Sequence, residues 1–124
     1  MGSATTWRAS NLVVLTGTIT QPLTRRTLRD GTVVSFDLAT ALEGGSSLSV
    51  PVAWYDPRDT AVSGIGQGTE VLVVGTVRRR FFRVGGQTQS RTEVVVESLV
   101  PTRRSKSTRS ALAAAAARLT PADG

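Results

Sequence analysis

A run of arginines and aromatic residues at positions 76–86 (TVRRRFFRVGG) has the clearest chemical potential in this sequence. Guanidinium groups pair with phosphates, and aromatic rings stack on bases at about 1–3 kcal/mol per base. Both contacts need side chains on one face of a strand, because successive strand residues point to opposite faces. The run therefore predicts either a surface for a flat, anionic ligand or the solvated end of a strand.

Strand parity divides this run into two faces. Arg78, Arg80 and Phe82 share one face, and we predict that Phe82 is a stacking residue on a ligand surface. The other face has an apolar line that suits a hydrophobic core: Val71, Val73, Val77 and Phe81. The alternative is that both phenylalanines pack, in the core or between subunits, while the arginines are solvated.

Three further groups of residues extend the candidate surface. Trp54 alternates with Val50 and Val52, so it belongs either to an ordinary core face or to the ligand surface, and Tyr55 has the same two interpretations. A cluster of basic residues follows the first predicted strand, in a loop: Arg25, Arg26 and Arg29. These arginines either contact phosphate or are simply solvated. Trp7 is expected to fasten the N-terminus onto the domain or onto a neighbour.

Several classes of site are not supported by the residues present. The sequence has no cysteine and no histidine, which excludes disulfides, thiolate zinc sites and histidine-based acid–base catalysis. The glycine-rich residues 64–68 (GIGQG) precede a predicted strand and lack a following Lys-Ser/Thr, so they do not predict a phosphate loop. We therefore expect no enzymatic activity, no metal and no cofactor.

Length and charge agree with a small binding domain. The 124 residues favour one domain, and the net charge of +6 with a pI near 11.4 indicates an anionic partner. The charge is uneven, since residues 101–124 have five basic residues against one acidic residue. No apolar run approaches the roughly 18 residues of a membrane span, so we expect a cytoplasmic protein without a membrane partner.

The elements that must position these residues are mainly strands. Alternating and β-branched patterns predict five of them, at residues 11–19, 32–40, 48–55, 69–84 and 88–100. Residues 56–68 permit a helix of at most about two turns. This order predicts an all-β, five-stranded Greek-key barrel of the OB-fold type, with a short helix between strands three and four. Gly17 and Gly75, inside strands, suit the curvature of a barrel.

The predicted domain boundaries follow changes in composition. Residues 1–10 are expected to be an N-terminal extension, and residues 11–100 the OB-fold domain. Residues 101–124 form a basic, Ala-rich tail that we expect to be flexible and mostly disordered. Their alanine run has high helix propensity, but it is too short to be a stable helix by itself.

These pieces, in this order, resemble the bacterial single-stranded DNA-binding protein (SSB) family. The resemblance rests on residues 15–17 (LTG), 31–34 (GTVV), 38–40 (LAT), 66–82 (GQGTEVLVVGTVRRRFF) and 92–100 (TEVVVESLV). It implies an OB-fold that binds single-stranded DNA with little sequence preference, in DNA replication, recombination or repair. It also implies a homo-oligomer, most often a tetramer with a dimer as the alternative, located in the cytoplasm with the nucleoid.

The resemblance assigns residues only in part. The stacking aromatics of the family fall on Trp54 and Phe82, whereas a third falls on Leu48 and a fourth has no counterpart. The hairpin between the second and third predicted strands is shorter than in the family. The acidic C-terminal tip of the family is absent, so recruitment of partners through that tip is not expected. The complete predicted DNA-binding set is Trp54, Tyr55, Phe82, Arg25, Arg26, Arg29, Arg78 and Arg80.

Two other functions are compatible with the same fold. One is an RNA-binding or primosome-type OB module, which a comparison of RNA with DNA would separate. The other is a protein-interaction OB domain whose aromatic residues lie in a subunit interface. The short hairpin and the missing aromatics favour this last alternative.

Overall fold

The computed structural model of the protein describes residues 10–119, so Trp7 and most of the predicted N-terminal extension lie outside the described residues. Within this range the chain forms six strands and two helices. In chain order they are β1 (Val13–Ile19), β2 (Thr24–Leu28), β3 (Gly31–Ala41), β4 (Ser47–Tyr55), α1 (Asp59–Ser63), β5 (Glu70–Val84), β6 (Gln87–Pro101) and α2 (Ser105–Ala117).

The strands form one sheet in the order β1-β5-β6-β4-β3-β2, and β1 also pairs with β3. This second pairing, Thr18 with Ala39 and Ile19 with Leu38, links the two sides of the sheet through β1. Gly17 permits it, because a Cβ atom at this position would lie 2.3 Å from the carbonyl oxygen of Ala39. A glycine inside a strand thus allows the close backbone approach between β1 and β3.

The main hydrophobic core lies between the faces of the strands that turn toward one another. Its buried members are Ile19, Val34, Phe36, Leu38, Val52, Val71, Val73, Val94 and Val96. The alternation predicted for residues 32–40 is confirmed, since Val34, Phe36 and Leu38 are buried on one face of β3. β1 turns Val13, Leu15 and Ile19 toward this core, whereas Val14 on its other face is 41% exposed.

The strand count differs from the prediction of five because residues 24–28 form an additional strand. Within residues 10–119, β2 pairs only with β3, from Thr24 opposite Ser35 to Leu28 opposite Gly31. Its sequence, TRRTL, lacks the alternation that marks a half-buried strand, so only backbone pairing with β3 reveals it. The short helix α1 consequently follows β4 rather than the third strand of the structure.

Two hairpins bring the candidate residues together. In the β3–β4 hairpin, Pro51 lies just before the two residues of β4 that pair with β6, which suits its missing N–H group. In the β5–β6 hairpin, Gly85 and Gly86 form the turn with φ angles of 57° and 82°. Positive φ at both central residues is the requirement of a tight two-residue hairpin turn.

The C-terminal segment is more ordered than the predicted tail. α2 packs on the outer face of β5, where Ala115 lies against Leu72 and Val74 and is 3% exposed. Arg118 also pairs with Glu97 of β6. This tertiary contact explains the difference, because a 13-residue helix is marginal in isolation and is stabilised here by its packing.

Candidate nucleic-acid interface

The β5–β6 hairpin extends past its neighbours and forms an arm at residues 79–92. β1 pairs with β5 only as far as Val13 opposite Gly75, and β4 pairs with β6 only at Val52 and Ala53. The side chain of Asn11 then caps the free edge of β5 through both backbone groups of Val77. Beyond this point the arm is a two-stranded ribbon with two accessible faces.

The turn sets which side chains share a face of this ribbon. Phe82 lies opposite Gln89, Arg80 opposite Arg91 and Arg78 opposite Glu93. We call the face that these residues share the Glu93 face; it comprises Tyr55, Arg78, Arg80, Phe82, Arg91 and Glu93. The opposite surface, which we call the Phe81 face, comprises Arg79, Phe81 and Arg83. The grouping of Phe82 with Arg78 and Arg80, predicted from strand parity, is confirmed.

Glu93 is the central group of the Glu93 face. It is only 6% exposed, and its carboxylate lies 3.0 Å from Arg80 Nε and 3.5 Å from Arg78 Nη2. A buried carboxylate needs such partners, because an unpaired charge in this position has a high desolvation cost. The two arginines that were predicted to bind DNA therefore also have a structural role, which restricts where their guanidinium groups can lie.

Arg78 is held from a second side by Tyr55. Its Nη2 donates a hydrogen bond to Tyr55 Oη, and its guanidinium carbon lies 5.1 Å from the centroid of the tyrosine ring. The hydrogen bond with Tyr55 raises the pKa of Arg78, and the charge of Glu93 adds to the effect although burial opposes it. Arg78 Nε is buried without a hydrogen-bond partner among residues 10–119. Arg78 is thus a permanent, oriented cation.

Phe82 lies further out on the same face and is partly buried. The guanidinium carbon of Arg80 is 5.3 Å from the centroid of the Phe82 ring, a distance at which cation and aromatic face attract each other. Arg80 therefore connects the buried carboxylate with the aromatic ring. The result is a row with an aromatic ring at each end and two cations between them, from Tyr55 through Arg78 and Arg80 to Phe82.

A groove of about 250 Å³ adjoins this row between β2 and the arm. Its polar lining residues are Thr24, Arg26, Ser35, Arg80, Arg91 and Glu93. Arg91 lies 3.9 Å from Asp37 in a half-exposed ion pair, a geometry that leaves it largely available to another anion. Three guanidinium groups from separate strands therefore surround one concave surface.

The remaining predicted residues lie elsewhere. Trp54 is on the opposite side of β4 from Tyr55, where it packs against the main core while remaining partly exposed. Arg25 points away from Arg26 and pairs with Asp59 of α1 at 3.4 Å, and Arg29 is exposed in the turn between β2 and β3. The three N-terminal arginines were predicted as one loop cluster, but strand formation separates them because neighbouring strand residues face opposite sides.

The predicted packing role of Phe81 is wrong. Phe81 is 62% exposed, and Val77 in the same line is 46% exposed. The line does continue the core face of β5, but the hairpin has left the sheet by this point and no other strand covers it among the described residues. Parity correctly assigned the face, whereas the depth of burial depends on where the neighbouring strands end.

Two residues of the surface were not predicted: Glu93 and Arg91. Their sequence signal is the Gly85-Gly86 turn, since a two-residue turn at these positions places Arg80 opposite Arg91 and Arg78 opposite Glu93. Applying that register to the sequence would have identified both residues.

Two other kinds of site receive no support from residues 10–119. This range has no group of three or more acidic, histidine or cysteine side chains placed to hold a metal ion. Neither of its two helices is long and apolar enough to cross a membrane.

Comparison with known proteins identifies the fold. No protein-family model matches this sequence, and no curated protein does. A solved structure, the Plasmodium falciparum SSB in complex with ssDNA, superposes with a TM-score of 0.64 at 18% identity. The similarity covers 76% of this chain and 96% of that chain. At this level of identity the similarity concerns architecture, and this chain therefore has the SSB-like OB fold.

Proposed function

We propose that this protein binds single-stranded DNA with little dependence on sequence, as an OB-fold Greek-key barrel. The observation that carries the proposal is the continuous row on the Glu93 face, where two ring–guanidinium pairs, Tyr55 with Arg78 and Phe82 with Arg80, meet at Glu93. Single strands expose both bases and phosphates, so they match such a row better than a duplex, whose bases are stacked inside.

Each group has a defined task in this proposal. A base stacks on Phe82, with Arg80 behind the ring, and a second base reaches Tyr55. The neighbouring phosphates contact Arg26 and Arg91 at the groove. Since Glu93 and Tyr55 already orient Arg78 and Arg80, little side-chain entropy is lost when the strand binds.

Trp54 has a supporting task in the same scheme. The resemblance to the SSB family implies stacking by this residue, but its ring packs against the core from the far side of β4. We propose that Trp54 mainly holds the end of β4 in place, so that the adjacent Tyr55 is presented to the strand. The direct stacking contacts are then those of Phe82 and Tyr55.

The assembly and cellular role belong to the same proposal. As the sequence resemblance to the SSB family implies, we propose a homo-oligomer, a tetramer or a dimer, that coats single-stranded DNA during DNA replication, recombination or repair. Such a protein acts by binding rather than by catalysis. Its site of action would be the cytoplasm, in association with the nucleoid.

Titration with oligo-dT tests the proposal. The wild-type protein should bind oligo-dT at least about tenfold more tightly than a duplex of equal length, and Phe82→Ala should lose about tenfold in affinity, as expected for one stacked base. Leu112→Ala is the matched control, because Leu112 is an apolar side chain on α2, 41% exposed and outside the Glu93 face.

Two outcomes would count against this function. Equal affinity of the wild type for single and double strands at moderate salt would remove the proposed selectivity. Tighter binding of oligo-U than of oligo-dT would instead favour the RNA-binding alternative, since only RNA offers the 2′-hydroxyl group.

A further inference from the structure

We propose that the Phe81 face of the arm is a second stacking site for single-stranded nucleic acid, so that one strand contacts both faces of the hairpin. This inference rests on the proposed function and extends it to the opposite surface of the same ribbon. The residues concerned are Phe81, with Arg79 and Arg83 on either side of it.

The first observation is that Phe81 is exposed and has a guanidinium group beside its ring. Its side chain is 62% exposed, and the guanidinium carbon of Arg79 lies 5.2 Å from the centroid of its ring. This is the same pairing of ring and guanidinium that Phe82 and Arg80 make on the Glu93 face, at 5.3 Å. The arm thus presents one ring with one cation on each of its two faces.

The second observation is the absence of a balancing carboxylate. Residues 79–92 have four arginines and neither aspartate nor glutamate. Arg79 donates a hydrogen bond to Ser90 Oγ at 3.1 Å, and Arg83 donates one to the carbonyl of Gly86 at 2.6 Å. Both partners are neutral, and neither arginine forms a salt bridge with any residue in the range 10–119. The charge of this face is therefore uncompensated, in contrast to Arg78 and Arg80 beside Glu93.

These two observations restrict the chemistry of the occupant. A ligand for this face must supply a flat apolar surface for Phe81 and negative charge for Arg79 and Arg83. Each nucleotide of a single strand supplies a flat base for the ring and a negative phosphate for the arginines. An aliphatic patch of another protein would cover the ring but leave the two guanidinium groups unpaired, which costs binding energy.

The arm also provides a path from one face to the other. The β1–β5 pairing ends at Gly75, and the side chain of Asn11 caps the edge at Val77. Beyond Val77, the edge of β5 has no strand beside it among the described residues. A single-stranded nucleic acid bound at Phe82 can therefore pass over this edge of β5 and reach Phe81. It must be longer than the segment bound on the Glu93 face.

Length-dependent binding tests this inference. The wild type and Phe81→Leu are titrated with oligo-dT of about 6 nucleotides, near the lower limit for one OB-fold, and of about 30 nucleotides. Leucine keeps apolar volume but removes the aromatic face. We expect Phe81→Leu to weaken binding of the long oligonucleotide about tenfold and to change the short one less than about twofold. Phe82→Leu, the matched variant on the other face, should weaken both.

A spectroscopic readout reports stacking directly. In Phe81→Trp, the new indole should be quenched by the long oligonucleotide and not by the short one, above the signal of the native tryptophans. Unchanged urea midpoints for the Phe81 variants would exclude a folding defect.

The outcomes separate this inference from the proposed function. If the wild type binds both lengths and Phe81→Leu changes neither affinity, the second site is wrong while the function stands. If the wild type binds neither length, the proposed function is wrong, and the second site falls with it. A changed sedimentation coefficient of Phe81→Leu without DNA would also overturn the inference, because Phe81 would then lie in a contact between copies of the chain.

Discussion

The two faces of the β5–β6 arm use the same residue types but differ in charge balance. On the Glu93 face, Arg78 and Arg80 meet a carboxylate that is 6% exposed. On the Phe81 face, the hydrogen bonds that Arg79 and Arg83 make within residues 10–119 go to a hydroxyl and a carbonyl. Arg78 and Arg80 therefore stabilise the folded protein by pairing with a buried carboxylate. Arg79 and Arg83 have neutral partners, so their charges are available to an anionic ligand.

This difference shows that an arginine-rich strand is not one uniform patch. The position of a single acidic residue on the partner strand decides which guanidinium groups are oriented in ion pairs. On the Glu93 face, preorganisation favours the free energy of binding, since the cations are already in place. On the Phe81 face, binding is favoured by positive charge that has no acidic partner in residues 10–119.

The largest expected effect separates the structural arginines from the free ones. Replacing both Arg78 and Arg80 by methionine keeps much of the apolar volume but leaves the Glu93 carboxylate unpaired, which should lower the free energy of unfolding by about 3 kcal/mol. The same double replacement of Arg79 and Arg83 should change it by less than about 0.5 kcal/mol. Urea denaturation measures both variants.

A further replacement sharpens this first comparison. Adding Glu93→Gln to the Arg78 and Arg80 variant removes the unpaired charge, and it should recover part of the lost stability. Equal destabilisation by the two arginine double variants would mean that Glu93 does not distinguish the faces.

A second expected effect separates the two neighbouring aromatics of β4. Trp54→Leu should lower the free energy of unfolding by about 2 kcal/mol, because the ring packs against the core. Tyr55→Leu should cost less stability but weaken oligo-dT binding more, since Tyr55 is on the Glu93 face. Urea midpoints and binding titrations of the two variants give a direct comparison; a reversed order would place the ligand on the Trp54 side.

A third, smaller effect concerns the charge of the Glu93 face itself. Glu93→Gln removes the carboxylate that competes with phosphate for Arg78 and Arg80, so oligo-dT affinity at low salt should rise about fivefold. The slope of log K against log salt should become steeper by about 0.7, the value for one additional phosphate contact on a single strand. An unchanged slope would show that these arginines do not meet phosphate.

The smallest expected effect divides the N-terminal arginines. Arg26 lines the groove, whereas Arg25 is on the other side of β2 beside Asp59. Arg26→Gln should therefore reduce oligo-dT affinity about threefold and the salt slope by about 0.7, and Arg25→Gln should change neither. Equal losses for the two variants would indicate a diffuse electrostatic effect of β2 in place of a groove contact.

Much of the sheet was predictable because hydrophobic patterns depend on local sequence. The alternation at Val34, Phe36 and Leu38 indicated the core face of β3, and strand parity separated Phe82 from Phe81. The strand β2 was not predicted, because its five residues are stabilised by backbone pairing rather than by an apolar face. The packing of helix α2 was not predicted, because the helix is stabilised by Leu72 and Val74, which are distant from it in sequence.

The site was predictable to a lesser degree. Arg78, Arg80 and Phe82 were placed together correctly because they alternate along one strand. Glu93 and Arg91 come from the partner strand, so their part in the surface required the register of the Gly85-Gly86 turn. The packing of Trp54 against the core and the exposure of Phe81 both required knowledge of where neighbouring strands end.

By itself, the sequence determined five of the six strands and which of their side chains share a face, because these properties follow from the period of the strand. Only the tertiary structure decided how deeply each face is buried and which charges meet. Phe81 is solvent-exposed because the arm extends beyond the neighbouring strands, and Arg78 is ion-paired because Glu93 lies opposite. Both results depend on contacts between strands, which no single segment of the chain specifies.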